Sequence, residues 1–189
     1  RTMTPLERPQ SAAEARAEAE ARHAEQRAER RAAFDAAYGP IAPGRPVVVV
    51  SWVITAAFAL AAAAALLWPE RFDAAFLILS LVLFAAGCAL FLVDLVLAAN
   101  RSRSDEMGIG GLFFLVGSAP PDVQRNLNGS LGAQVAVALA AAAVGFVRLG
   151  DRDLNAAAFG ILVPTIALGL NGLWGVRWGL FPARADDAT

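Results

Sequence analysis

Residues 74–99 read AAFLILSLVLFAAGCALFLVDLVLAA. This apolar run begins just after Asp73, holds one carboxylate at Asp94, and ends in Asn100-Arg101-Ser102-Arg103. At about 1.5 Å of rise per residue, a helix over Ala74 to Ala99 crosses a hydrocarbon core of roughly 30 Å with a slight tilt. The other segments take their places around that crossing.

The chain has 189 residues, 57% of them hydrophobic, and the apolar residues lie in long blocks rather than at amphipathic spacing. Such a distribution belongs to a polytopic membrane protein. The formal net charge is −1, so no bulk field draws the chain to nucleic acid or to anionic lipid, any electrostatic function must be local, and no nucleic-acid partner is expected. All sixteen basic residues are arginine. The single cysteine, Cys88, and the single histidine, His23, cannot form a disulfide, a structural zinc site or a Cys-His dyad within one chain. Neither a metal nor a cofactor is expected. The first apolar block begins only at Val47, so no signal peptide is read, and Glu14, Glu18, Glu20, Glu25 and Glu29 argue against a transit peptide.

Before the membrane part, Ser11 to Tyr38 is rich in Ala, Glu, Arg and Gln and predicts a charged helix, with Ser11 and Glu14 as a capping box and Glu18 to Arg22 as an i,i+4 pair. Pro40, Pro43 and Pro46 with Gly39 and Gly44 stop it, so residues 1–46 form a charged helix and a stiff linker.

Val47 to Trp68 is the first span, bracketed by Trp52 and Trp68. The short stretch Pro69 to Asp73 turns the chain into the second span, giving a hairpin over 47–99. Residues 100–130 predict a loop in which Met107 to Gly117 is apolar but too short to cross, and is expected to lie on or dip into the bilayer. Pro120 and Pro121 start a new helix, with Asp122 suiting its first turn. Leu131 to Leu149 is the third span, with Gly150 as its C-cap, and Asp151-Arg152-Asp153 is a tight turn. Leu154 to Trp178 is the fourth span, so a second hairpin covers 131–182 and a polar tail 183–189. Pro164 is expected to bend that last span, and Gly169, Gly172, Gly175 and Gly179 leave a smooth strip for close helix packing. Trp174 and Trp178 are expected at the same membrane interface as Trp52.

Arginine counts set the orientation. Eight precede the first span, Arg101, Arg103 and Arg125 fall in the central loop, and Arg177 and Arg184 follow the last span, against Arg71, Arg148 and Arg152 in the short turns. Both termini and the central loop are therefore expected in the cytoplasm of a plasma-membrane, multi-pass protein.

The word Ala59-Leu60-Ala61-Ala62-Ala63-Ala64 recurs at Ala138 to Ala143, and Ala74 to Leu79 recurs loosely at Ala157 to Leu162. Two parallel hairpins related by an axis along the membrane normal would follow, with Asp94 and Arg177 at equal depth and able to pair. Composition alone also produces such words in Ala/Leu-rich helices.

Asp94 is the most informative side chain, because a carboxylate in a span costs about 2.5–3.5 kcal/mol and must face protein or water. It reads either as a proton or cation site or as a structural, interfacial carboxylate that reaches the cytoplasmic edge or pairs with Arg177. Asn171, Thr165 and Gln134 are further polar groups within the spans, and interhelical hydrogen bonding is their ordinary use. There is no nucleophile elbow, zinc motif, haem-ligand pair or kinase signature, so no enzyme activity and no catalytic residue are expected.

The stretches Ser104-Asp105-Glu106-Met107-Gly108-Ile109-Gly110-Gly111, Asn126-Leu127-Asn128-Gly129-Ser130 and Gly172-Leu173-Trp174-Gly175, set within two hairpins after a charged helix, give a layout that resembles the uncharacterised four-helix integral membrane proteins of actinobacteria. The resemblance implies a fold and brings no site residues. The expectation is an all-α polytopic protein with four transmembrane helices as two hairpins and a charged N-terminal cytoplasmic helix. Its expected role is a non-enzymatic scaffold or accessory subunit, packing through the glycine-lined fourth helix in a homo-oligomer or larger membrane complex. The alternative is a small oligomeric channel or transporter using Asp94.

Overall fold

A computed structural model describes residues 12–148 and 156–184. The expected cap at Ser11, the C-cap at Gly150 and the turn at Asp151-Arg152-Asp153 lie outside the described residues. Among the described residues the fold is all-helical, with α1 Ala12–Tyr38, α2 Arg45–Leu67, α3 Pro69–Arg101, α4 Ile109–Phe113, α5 Pro121–Val147, a 3₁₀ helix Ala156–Leu162 and α6 Pro164–Trp178. Four stretches are long and apolar enough to cross a membrane: α2, α3, α5, and the 3₁₀ helix continued by α6.

The chain divides into two units, residues 1–40 and 41–189. In the first, α1 carries the exposed Arg22–Glu18 pair at 4.0 Å, and Phe34 and Tyr38 stack at 6.1 Å. It stops at Gly39, which takes φ 68° and donates its N–H to Asp35 O.

In the second unit, two element boundaries differ from expectation for the same reason. Pro69 is helical from its first position and only Trp68 separates α2 from α3, so residues 69–73 are the first turn of α3 rather than a loop. Likewise α5 starts at Pro121, where a new helix was expected, but it runs on unbroken, so residues 121–130 extend the third span instead of belonging to the loop. Proline fits the first helical turn, where its missing N–H has no partner to lose, and Glu70 and Asp122 sit favourably at the positive helix ends.

Pro164 was expected to bend the fourth span; it instead divides the span into two kinds of helix. Its ring disfavours an α-helical carbonyl four residues earlier. The preceding residues wind as 3₁₀, with Val163 N–H donating to Gly160 O at 3.0 Å. Gly160 abuts the stacked pair Phe58–Phe76, 5.8 Å between ring centroids, which ties this segment to the first hairpin.

Across the bundle, α2 packs on α5 and α3 on α6, while α5 also packs on the 3₁₀ helix and α6. Contacts along α3 and α6 rise together, with Gly87 against Ile166, Leu90 against Gly169, and Asp94 against Gly172, so the two run parallel. A two-fold along the bundle axis would place like helices on diagonals. Both like pairs instead lie side by side, and the expected symmetry is not the one observed. The fourth span is the centre of the packing: 56% of its most apolar window is buried, against 17–22% in the other three.

Candidate functional site

Two parallel helix pairs carry the polar side chains of the spans. Between α2 and α5, the buried Ser51, Thr55, Ser130 and Gln134 form a ladder. Ser130 Oγ donates to Leu127 O at 2.9 Å, so Ser51 Oγ is the donor in its 2.5 Å bond to Ser130 Oγ. Gln134 Nε2 donates to Thr55 Oγ1 at 2.9 Å, and Thr55 Oγ1 donates to Ser51 O at 2.8 Å. Both rungs join residues 79 apart, the same separation as the Ala59 and Ala138 words. The register of the repeated words is therefore the contact register of α2 and α5. Gln134 was legible as a polar residue in a span; Ser51, Thr55 and Ser130 were not singled out, although extending that word backwards at constant separation finds them.

Between α3 and α6 the chemistry is different. Ser80, Gly87 and Asp94 lie at heptad spacing on the buried face of α3. Asp94 is fully buried, and neither of its carboxylate oxygens has a hydrogen-bond partner among the described residues. Gly172 lies directly against Oδ2, and the ring of Phe113 closes the same space. Phe113 in turn stacks on Phe91 at 4.7 Å. Arg177 does not come to Asp94. It is exposed, stacks over Trp178 at 5.8 Å, and lies more than a turn beyond Gly172, the α6 residue level with the carboxylate. The expected Asp94–Arg177 pairing at equal depth is thus corrected.

The glycine strip is used within the chain. Gly169 meets Leu90 and the Gly87 carbonyl, Gly172 meets Asp94, and Gly175 lies against the Leu112 carbonyl. Gly179 is buried beside Phe181. With α3 and α4 seated on it, the strip does not offer a face to another chain.

The short apolar segment expected to lie on or dip into the bilayer is packed on the bundle along one side. Leu112, Phe113 and Leu115 are buried, Leu115 in the left-handed region at φ 58°. Asn171 Nδ2 donates to Phe113 O and to Asn128 Oδ1, both at 3.0 Å, and Asn128 Nδ2 donates to Phe114 O at 2.8 Å. Ser118 Oγ donates to Gly111 O. Asn171 is therefore the post on which α4 is hung, and its Oδ1 has no partner among the described residues.

Arg101 was counted only for its charge, yet it organises the end of α6. Nη1 donates to Val176 O at 2.8 Å, Nη2 to Gly179 O at 2.7 Å and Nε to Asp105 Oδ2 at 2.6 Å, with Phe181 5.3 Å below the guanidinium. A cation suits the carbonyl-rich end of a helix. Arg148 at the end of α5 does the same for α2, donating to Leu66 O at 2.8 Å. Each parallel pair is thus tied by an arginine at the end of one helix to the end of the other, Arg101 through two carbonyls and Arg148 through one.

Trp174 is not an interfacial anchor: it is fully buried, and its Nε1 donates to Pro43 O at 2.9 Å. Gly44, at φ 73°, lies so close to the same indole that a side chain there would collide with it. Trp52 and Trp68 remain largely exposed. Leu180 N–H donates to Ser118 O and Glu106 N–H to Pro182 O, so the linker before α2, the central loop and the segment after α6 gather at one end of the bundle.

Among the described residues no three His, Cys, Asp or Glu side chains come together, and Cys88 is a half-buried thiol. Comparison with protein-family models, with curated proteins and with solved structures found no match.

Proposed function

We propose that the chain is a multi-pass membrane protein, without enzyme activity, whose Asp94 takes up and releases a proton as part of a small channel or transporter. One observation carries this reading: a carboxyl group sits fully enclosed within a span with neither oxygen bonded to any of the described residues. A charge or an unbonded polar group in that position is costly, and packing does not require it. A proton suits the site better than a cation, because Gly172 and Phe113 press on the carboxylate and leave no space for a shell of oxygen ligands. The arginine bias supports a plasma-membrane orientation with the shared end of linker, central loop and C-terminal segment in the cytoplasm.

Proton flux into proteoliposomes, followed with an entrapped pH-sensitive dye under an imposed potential, tests this. The parent protein should dissipate the gradient and Asp94→Asn should not, while Gln134→Leu, which alters the other helix pair, should retain the flux. Equal flux through parent and Asp94→Asn, or none above the lipid leak, would overturn the proposal.

A scaffold or accessory subunit is the second reading. It is favoured by α1, a helix of 27 residues whose described arginines, Arg16, Arg22, Arg27, Arg30 and Arg31, are exposed. Native mass spectrometry after gentle extraction would support it with a defined homo-oligomer or larger complex, and a monomer alone would count against it.

A further inference from the structure

At the end of the bundle where α3 and α6 stop, an open groove of about 460 Å³ runs between them, lined by Leu97, Asn100, Arg101, Val176 and Arg177. Its two guanidinium groups are not equivalent. Arg101 is committed to Asp105 and to two helix-end carbonyls, so its charge is compensated and it acts as a fixed wall. Arg177 stacks over the Trp178 ring and has no ion pair among the described residues, leaving one uncompensated positive charge at the rim.

The floor is apolar. From it, Val93 and Leu97, one turn apart on α3 and 49% and 44% exposed, continue as a rail along the outside of the span. A second groove at the same end, about 200 Å³ and lined by Arg45, Asp122 and Asn126 among apolar residues, has no such surplus, since an acid and a base share its lining.

We propose that the α3–α6 groove binds the headgroup of an anionic phospholipid. Arg177 meets the phosphodiester, Asn100 adds a carboxamide donor, and an acyl chain follows Val93 and Leu97. One net negative charge on the ligand matches one uncompensated charge on the protein, and a guanidinium presents paired donors to phosphate oxygens. Position favours a lipid over a soluble anion, because the charged rim opens directly onto an apolar rail at the end of a span.

The test uses the chain purified in a non-ionic detergent and mixed with phosphatidylglycerol or with phosphatidylcholine of identical acyl chains, bound lipid being counted by native mass spectrometry. Phosphatidylglycerol should be retained in preference. Arg177→Gln should reduce its retention about fivefold and erase the preference. Arg177→Lys, which keeps the charge but not the paired donors, should keep only part of it, and Arg45→Gln, at the charge-balanced groove, should change nothing. Equal retention of the two lipids by the parent protein would overturn the proposal, as would a preference that survives Arg177→Gln. Displacement of the lipid by an equal concentration of inorganic phosphate would mark a soluble-anion site and also overturn it. Lipid preference in the parent protein stands as a test even if a variant fails to fold.

Discussion

The two parallel helix pairs of this bundle handle buried polarity in opposite ways. Between α2 and α5, hydroxyl and amide groups bond one another across the interface in a single register. Between α3 and α6, the helices come close enough for Gly87 to touch the backbone of Ile166, and the buried carboxylate in the contact, Asp94, has no hydrogen-bond partner among the described residues. The first pair shows what structural use of polar residues in a span looks like. Measured against it, Asp94 is a group that the fold tolerates rather than needs.

The close approach of α6 to its neighbours is the feature most easily broken. A Cβ on Gly175 would stand 2.5 Å from the Leu112 carbonyl oxygen, and one on Gly87 would stand 2.6 Å from the Ile166 nitrogen. Both are backbone atoms that cannot swing aside. Gly175→Ala should therefore cost about 3 kcal/mol or more, the upper end for overpacking, and should release α4 from α6. Thermal unfolding in detergent reads the loss, and faster hydrogen exchange at residues 109–118 reads the release. An unchanged melting temperature would mean that α4 does not rest on α6 as described.

A smaller effect is expected at the arginine clamp. Arg101→Ala removes two charge-assisted bonds to the end of α6 and the pair with Asp105, and should cost about 1.5–3 kcal/mol. Arg101→Lys should recover only part of this, because one ammonium cannot span Val176 O, Gly179 O and Asp105 in the geometry of a planar fork. A full recovery would show that charge alone suffices at the helix end.

The ladder between α2 and α5 sharpens the comparison from the other side. Interhelical hydrogen bonds in membranes are worth about 0.6 kcal/mol on average, because the separated helices find other partners. A double-mutant cycle of Ser51→Ala with Ser130→Ala should return a coupling of about that size, and Thr55→Val with Gln134→Leu a similar one. Couplings near zero would remove the contrast between the two pairs.

How much of this was legible in the sequence differs between the same regions. Long apolar runs announce spans because the bilayer fixes their length, and Pro164 announced a bend, though not the change of helix type, because its chemistry is local. Asp94 stood out because a carboxylate in such a run is expensive wherever it points. Partners were not legible. The expected pairing with Arg177 came from aligning the repeated words residue for residue, whereas the 3₁₀ segment advances about 2.0 Å per residue against 1.5 Å in an α-helix. A given depth is then reached by an earlier residue, which accounts for part of the shift from Arg177 to Gly172. The seat of α4 depends on Asn171, Asn128 and Gly175, each far away in the chain, and nothing within residues 107–117 signals them. The glycine strip was visible as a packing surface, but pattern alone does not say whether a neighbour comes from the same chain or another.

The smallest expected change in stability belongs to the residue with the largest expected functional effect. If Asp94 were a structural group, Asp94→Asn would break a bond or an ion pair and the bundle would weaken, as it should when Gln134 or Arg101 is replaced. With no bond to lose, the isosteric amide exchanges one unpartnered polar group for another and should leave stability within about 1 kcal/mol of the parent protein. Thermal unfolding in one detergent, beside the Gln134→Leu and Arg101→Ala proteins, makes the comparison direct. A loss at Asp94→Asn as large as at Arg101→Ala would make the carboxylate part of the packing. A stable Asp94→Asn protein without proton flux would separate the two interfaces, one holding the helices together and the other holding the group that acts.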